Sequence, residues 1–343
     1  MISLQGLKKR LLRRIRPTHE RQLYRYLVRK KGELTPRLRN QIREYAIEVL
    51  GSSRHTDGLF IYTVLCGEFK PGWIPQSYYR QVVGQRIKGN LRSLARFQVL
   101  NASLFSAFRV PDIAYYFGES IYNTELSPIT VDDLPSLVGD DDTKVVVKAD
   151  TSARGEGVRI ATVDEIVSGA VPLDGAGVIQ RFVHQHDSLR ALSSTAVATF
   201  RVTSVINSRR EPEVRGFHLR IGRPGQTHIM SSNQIKIAVD PSTGQLSDQG
   251  YDSTWHSHHV HPDTGISFEN HNIPALKCAE LAVEMHKQVP FLCCIGWDIT
   301  LDRNGDPVFL EWNAGNNDIQ TSEVLQGPCF IDLGWTDAGW RER

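Results

Sequence analysis

The sequence predicts an α+β fold with a basic, helical N-terminal extension. Three observations carry this. Residues 1–54 hold fifteen Lys or Arg against four Glu, and their apolar residues fall at helical spacing. From about residue 121 the texture changes to short β-branched runs alternating with short helical ones. Near the C-terminus, Gly296-Trp297-Asp298-Ile299 and Pro307-Val308-Phe309-Leu310-Glu311-Trp312-Asn313 read as two strands of a hairpin.

The helical part comes first. Leu4, Leu7, Leu11, Leu12 and Ile15 recur at three- and four-residue spacing until Pro17 breaks the pattern. Tyr24 and Leu27, then Leu38, Ile42, Tyr45, Ala46 and Val49, predict two further helices, and Gly51-Ser52-Ser53 closes this stretch. Pro71-Gly72-Trp73-Ile74-Pro75 is loop punctuation. Residues 77–109 read as helical again, with Leu91, Leu94 and Phe97 on one face, and Val110-Pro111 opens an extended segment.

The strands follow. Residues 144–148 and 158–161 predict a hairpin, 163–168 a short helix and 177–183 another strand. Residues 196–207 and 213–220 predict long strands joined by a Ser-Arg-Arg-Glu-Pro turn, and 234–239 predicts the next. Residues 274–289 form an amphipathic helix, with Leu276, Ala279, Ala282, Met285 and Val289 on one stripe.

Composition bounds the function. A chain of 343 residues, 40% hydrophobic and 23% charged, suits a soluble globular protein of two or three subdomains. No run of about eighteen apolar residues spans a membrane, and the first residues lack a secretory core. Five cysteines without a Cys-x-x-Cys pair point to buried thiols in a reducing, cytoplasmic setting. The net charge of +2 conceals about +11 on residues 1–54 and about −9 on the rest. Such an arm suits contact with an anionic surface; the alternative is a solvated helical face.

The chemistry concentrates in three segments. If the C-terminal runs pair antiparallel, Asp298, Glu311 and Asn313 converge on one face, because side chains alternate along strands. Two carboxylates and an amide oxygen are hard ligands of the kind Mg²⁺ takes beside substrate phosphates. The second segment, Lys148-Ala149-Asp150-Thr151-Ser152-Ala153-Arg154-Gly155-Glu156-Gly157, sets a lysine at a strand end before a Gly-x-Gly turn. Its small residues let backbone N–H groups approach phosphates, although a glycine hairpin is often only a tight turn. The third, Gln180-Arg181-Phe182-Val183-His184-Gln185-His186-Asp187, is a strand running into a polar linker that can offer backbone groups to a base edge.

Taken in order, the strand lysine, glycine hairpin, linker and distal Asp…Glu-x-Asn resemble the ATP-grasp superfamily. The sequence is most similar to its sugar-transfer associated branch, through Gln185-His186, Thr199-Phe200-Arg201-Val202, His261-Pro262-Asp263-Thr264-Gly265, Gly296-Trp297-Asp298 and Leu310-Glu311-Trp312-Asn313. The resemblance covers about residues 100–330. It implies two α+β lobes gripping ATP, with domain limits at 1–95 (basic extension), 96–183 (small lobe with glycine lid) and 184–343 (large lobe with metal site).

It also implies roles. Lys148 corresponds to the lysine on the α/β-phosphates, and Ser152, Arg154, Gly155 and Gly157 lie in the phosphate lid. Gln180 and Val183 fall at the adenine hinge, and Asp187 where a carboxylate holds ribose. Asp298, Glu311 and Asn313 resemble the Mg²⁺ ligands; Arg201 and Lys236 resemble the cations on the transferring phosphate. The sequence departs from the pattern at Ala149, where proline is common, and at Gln180, where Glu is common. Asn101-Ala102-Ser103 occupies the neighbourhood of an earlier ATP-binding lysine.

The implied activity is ligation of a carboxylate to an amine with ATP and Mg²⁺, near cell-surface polysaccharide or sugar-conjugate synthesis. Two alternatives stay open: a small-molecule (sugar) kinase, and a non-catalytic nucleotide fold whose basic arm binds an anionic surface. A nucleic-acid partner is not expected. The crowded histidines His256, His258, His259 and His261 read as a polar loop near the substrate, with transition-metal binding as the alternative.

Overall fold

The computed structural model describes residues 19–337, apart from 140–142, 151–156, 224–228, 230–232, 270, 272 and 316. The helix expected over residues 4–15 and the lid residues Ser152, Arg154 and Gly155 therefore lie outside the described residues. The chain divides into two compact units: Met1–Val83 with Ile319–Arg343, and Gly84–Asp318.

The first unit is helical. Helices α1 (His19–Lys31) and α2 (Pro36–Glu48) match the expected segments. Thr35 caps α2 by accepting from the Leu38 N–H at 3.3 Å, and Pro36 fits the first turn. Helix α3 (Thr56–Cys66) was not legible in the sequence. It is apolar all round, with Leu59, Phe60, Ile61, Tyr62, Val64 and Leu65 buried, so it forms the centre of the unit rather than one of its faces. Gly67, at φ 78°, ends it in the left-handed region that glycine tolerates.

A buried carboxylate ties this unit together. Glu323, on the C-terminal helix Ile319–Gln326, is fully buried and accepts from the N–H groups of Ile74 (2.9 Å) and Cys329 (2.8 Å). Burial pushes its carboxyl up to about 8, against the pull of those two donors. The folded state thus holds a proton that the unfolded chain releases above about 4.5, so stability falls as pH rises from about 4.5 to about 8. Glu323→Gln should flatten that slope by ~1 kcal/mol per pH unit. Thermal unfolding of both proteins from pH 5 to 8 checks it; parallel curves would refute the assignment.

The second unit holds two antiparallel sheets. The first runs β3-β2-β1-β6-β4-β5, from β1 (Asp112–Phe117), β2 (Ser120–Asn123), β3 (Pro128–Ile129), β4 (Lys144–Ala149), β5 (Val158–Thr162) and β6 (Ala176–Arg181). The second runs β11-β10-β9-β8-β7-β12-β13, from β7 (Thr199–Ile206), β8 (Pro212–Gly222), β9 (Gln234–Val239), β10 (Leu246–Tyr251), β11 (Ser257–His258), β12 (Cys294–Leu301) and β13 (Pro307–Asn313).

One face of the first sheet packs Val145, Val147, Ala161 and Ile179 against Leu134, Val138, Val163 and Ile166 of two short helices. The second sheet is covered by helix α4 (Leu276–His286), whose Cys278, Ala279, Ala282 and Met285 share a core with Phe217, Leu219, Ile237 and Trp297. Trp297 and Trp312 stack at 5.9 Å inside that core. One buried polar chain crosses the core. Trp297 Nε1 donates to Ser204 Oγ at 2.8 Å, Ser204 Oγ lies 2.7 Å from His286 Nδ1, and His286 Nε2 lies 2.7 Å from the Leu292 carbonyl.

The helical reading of 77–109 holds in part. The backbone is helical without a break over residues 76–96 but changes type along the way, from a π turn at Tyr79–Val83 through an α turn at Gly84–Lys88 to 3₁₀ geometry at Gly89–Arg96, with a further 3₁₀ turn at Gln98–Leu100. Leu91 and Phe97 are exposed instead of sharing a buried face.

Candidate active site

Strand alternation builds the polar face of the second sheet. On β7, Phe200 and Val202 enter the core while Arg201 takes the other side. On β8, Phe217, Leu219 and Ile221 are core and His218 and Arg220 oppose them; on β9, Lys236 lies between Ile235 and Ile237. On β12, Asp298 lies between Trp297 and Ile299. The register sets Glu311 opposite Asp298, Asp298 opposite Arg201, and Arg201 opposite His218, giving one row across four strands. Arg220 and Lys236 face each other in the next row.

The expected hairpin is present, and it brings its three oxygen-bearing side chains together. Asp298 and Glu311 are cross-strand partners, and Asn313 Nδ2 lies 3.4 Å from Glu311 Oε1. A bulge after Asp298 keeps Glu311 and Asn313 on its side while Trp312 turns to the core. Trp312 Nε1 donates to Asn101 Oδ1 at 3.1 Å, which gives the residue in the expected lysine neighbourhood a structural task.

Asp298 is only 2% exposed and is held by two arginines. Arg201 Nε and Nη2 reach its two oxygens at 2.6 and 2.9 Å, and Arg220 Nη2 lies 2.5 Å from Oδ1. Burial alone would raise the Asp298 carboxyl; Arg201 and Arg220 reverse this and hold it well below the usual range. Gly296 makes the fork possible, since a Cβ there would stand 3.3 Å from the Arg201 guanidinium.

Glu311 stands at the accessible edge of the row but is crowded on its other sides. That crowding, and then the charge of Asp298, pushes its carboxyl above the usual range. A carboxylate raised by its neighbour is what a divalent cation relieves, and Glu311 and Asn313 fit as hard oxygen donors. Asp298 fits as a third only by exchanging a guanidinium contact. Among the described residues no three His, Cys, Asp or Glu are grouped to hold a metal, so the set depends on the Asn313 amide.

Lys148 reaches this hairpin from the first sheet. Lys148, near the end of β4, donates from Nζ to the carbonyl of Leu310 at 3.2 Å, beside Glu311. Gly157 forms the turn into β5, and its carbonyl accepts from Ala149 N–H at 3.2 Å. Lys236 Nζ is 3.3 Å from Asp318 Oδ2 and 5.6 Å above the Trp255 ring.

Other expected residues have local partners. Gln180 is buried within β6, and its amide donates to Asp112 Oδ1 at 2.7 Å, while Tyr115 O–H donates to Asp112 Oδ2 at 2.9 Å. Its side chain therefore braces the first sheet, leaving backbone groups as what this strand end can offer. Val183 is half-buried in the linker, and Gln185 clamps that linker, accepting from the Ala198 N–H at 2.8 Å. Asp187 opens a short helix (Asp187–Leu192) and pairs with Arg190 at 2.8 Å on an exposed surface. Among the histidines, His258 Nε2 is 3.3 Å from Asp252, and His261 is buried with Nε2 3.3 Å from the Gly222 carbonyl.

Arg220, which holds Asp298, and Asp318, which holds Lys236, have no counterpart among the residues that the sequence motifs single out. The alternation His218-x-Arg220 beside Arg201 was the available signal.

Residues 163–332, just under half of the chain, match the model of the sugar-transfer associated ATP-grasp family. Over that span the chain is similar to the sugar-transfer associated branch, as the sequence motifs imply. Solved structures resemble it at low identity. Biotin carboxylase of Campylobacter jejuni is 13% identical over 78% of this chain and 52% of its own, with a TM-score of 0.44. An L-amino acid ligase of Bacillus licheniformis is 12% identical over 88% of this chain and 59% of its own, with a TM-score of 0.41. D-alanyl-alanine synthetase A of Vibrio cholerae is 14% identical over 71% of this chain and 64% of its own, with a TM-score of 0.40. The chain spans about half the length of the first of these structures. No curated protein matches the sequence. Among the described residues no helix is long and apolar enough to cross a membrane.

Proposed function

We propose that this chain is an ATP- and Mg²⁺-dependent ligase that joins a carboxylate to an amine through an acyl phosphate. The observation that carries it is Lys148: a strand-end lysine of the first sheet reaching the backbone beside Glu311 of the second. That sets a cation against two adjacent carboxylates, the arrangement needed to hold a phosphate chain with its metal. Glu311 and Asn313 would hold Mg²⁺, which supplies charge neutralisation to the phosphates when bound.

The chain's own residues do the remainder. Lys148 offsets phosphate charge from the small-lobe side, and Gly157 belongs to the turn that shields it. Arg201, fixed by Asp298, and Lys236, fixed by Asp318, present positive charge where the transferring phosphoryl group develops negative charge. Val183 and the backbone at Gln180 line the base, and Asp187 serves the ribose. The closed lobes, proposed as 96–183 and 184–343, keep water from the acyl phosphate. The description of the family supports a place near sugar-conjugate synthesis; a cytoplasmic setting is proposed from the reading of the cysteines as reduced thiols. The exposed Arg25, Arg29 and Lys30 of α1 support contact of the basic extension with an anionic surface.

The test is ADP release with Mg²⁺ over a panel of acids (uronic acids, amino acids) and amines (amino acids, polyamines). The ligase needs one of each. ADP formed stoichiometrically with a single hydroxyl acceptor and no amine would instead make it a kinase. Lys148→Ala should weaken nucleotide binding about tenfold or more, since a charge-assisted contact is worth ~1.5–3 kcal/mol. Unchanged affinity by calorimetry would remove Lys148 from the site.

A further inference from the structure

Helix α1 has two unlike faces. Leu27 is buried, and the Tyr24 ring lies 5.1 Å from that of Phe60 in α3, so this side belongs to the helical unit. The other side carries Gln22, Arg25, Tyr26 and Arg29 at i, i+3, i+4 and i+7, with Lys30 beside them, and all five are exposed. Arg21 pairs with Asp57 at 3.4 Å, and Arg39 of α2 with Glu33 at 2.6 Å. Arg25, Arg29 and Lys30 have no such partner among the described residues. The acid of this helix, Glu20, is half-buried in its first turn, so the outer face carries cations alone. Among them Tyr26 leaves 40% of its surface in water. Upstream the sequence repeats the pattern more strongly. Over residues 4–16, outside the described residues, Leu4, Leu7, Leu11, Leu12 and Ile15 recur at helical spacing among six Lys or Arg, with no acid.

We propose that the N-terminal extension docks this protein on an anionic phospholipid bilayer. This rests on the anionic contact proposed above, names the surface, and is independent of the ligase chemistry. Arg25, Arg29 and Lys30 lie against phosphate head groups, where each cation strengthens binding about fivefold. Tyr26 takes the head-group boundary, which favours a ring with a polar tip. The Leu and Ile side chains of residues 4–15 enter the acyl edge, while the cations between them stay with the phosphates. Charge and apolar insertion together make a reversible anchor where either alone is marginal. A nucleic acid would answer the cations and leave five aliphatic side chains in water; a bilayer answers both. The rest of the chain carries about −9 and is repelled by the same surface, so the attraction is confined to the extension.

The experiment sediments the full chain with vesicles of equimolar phosphatidylglycerol and phosphatidylcholine, and with vesicles of phosphatidylcholine alone. Retention on duplex DNA is measured in the same buffer. The expected result is binding to the anionic vesicles and none to phosphatidylcholine. The triple variant Arg25→Gln, Arg29→Gln, Lys30→Gln should bind the anionic vesicles about 10²-fold more weakly, three steps of about fivefold. Leu11→Gln and Tyr26→Ser should each weaken vesicle binding severalfold and leave DNA retention unchanged, because they remove apolar contact and no charge. Thermal unfolding like that of wild type separates a loss of binding from a loss of fold. Vesicle binding that Leu11→Gln and Tyr26→Ser leave intact, or DNA held more tightly than vesicles, makes charge the sole recogniser and overturns the bilayer while an anionic contact stands. Retention on neither removes that contact as well and leaves a solvated face. ADP release with soluble substrates, measured on the same preparations, should be unchanged in the triple variant, so the ligase reading stands or falls on its own.

Discussion

Glu311→Gln is expected to lower ATP turnover by roughly 10²–10³-fold, the scale of losing one electrostatic stabiliser in an enclosed site, while the protein stays folded. The argument separates two properties of one side chain. Glu311 faces Asp298 across β12 and β13, is crowded by protein, and carries a carboxyl raised first by that crowding and then by the Asp298 charge. A raised acid contributes stability when protonated and loses it as pH climbs, so at neutral pH the ionised form is a liability to the fold. An amide of the same shape removes the repulsion and can donate to Asp298. Thermal stability should therefore hold or rise slightly. Activity should fall, because an amide offers one neutral oxygen where a cation and a triphosphate call for an anionic one. Stable protein with full turnover would remove Glu311 from the metal set. Loss of both fold and turnover would make it structural.

The hairpin carrying Glu311 was legible because two signals coincided. Alternation placed Asp298, Glu311 and Asn313 on one face, and each strand carried apolar residues for the other. Helix α3 failed the same test. Phe60-Ile61-Tyr62-Thr63-Val64-Leu65 is apolar on every side, so neither a period of two nor one of 3.6 stands out. Residues 77–109 differ again: helical geometry holds through residue 96, but it passes from π to α to 3₁₀, so the expected face of Leu91, Leu94 and Phe97 does not form.

Strand order was the larger gap. β12 inserts between β7 and β13, and β7 pairs with β8 on its other edge. That order alone puts Arg220 and Arg201 on either side of the Asp298 carboxylate. Alternation tells which face a side chain takes; it does not tell which strand, about a hundred residues away, lies alongside. Hence the resemblance assigns Arg201 to phosphate, while its two bonds to Asp298 are not legible in the sequence. Gln180 was similar. Its strand was anticipated, but its buried partner Asp112 comes from β1, whose pairing no local pattern reveals.

Asp298→Asn should destabilise the protein by about 3–5 kcal/mol, the scale of breaking a buried charge cluster by removing one partner. The carboxylate is 2% exposed and neutralises Arg201 and, in part, Arg220. An amide keeps the shape but leaves two guanidinium groups facing each other without an anion, and its own N–H₂ points a donor at donors. Arg201→Gln alone should cost less, because Arg220 still answers the carboxylate. The double variant should be less damaged than the sum of the singles, since the charge that each change strands is gone. Acid should report the same coupling. The folded Asp298 carboxyl titrates below the usual range, so its contribution is present above about 3.8 and is lost as pH falls beneath that value. Wild type should therefore lose stability below pH 4 more steeply than Asp298→Asn. Urea unfolding of the four proteins of the cycle, near neutral pH and near pH 3, measures both effects. Strict additivity, or equal acid sensitivity in wild type and Asp298→Asn, would mean that the two arginines do not depend on this carboxylate. The row they form would then not be the rigid floor on which the proposed phosphoryl transfer relies.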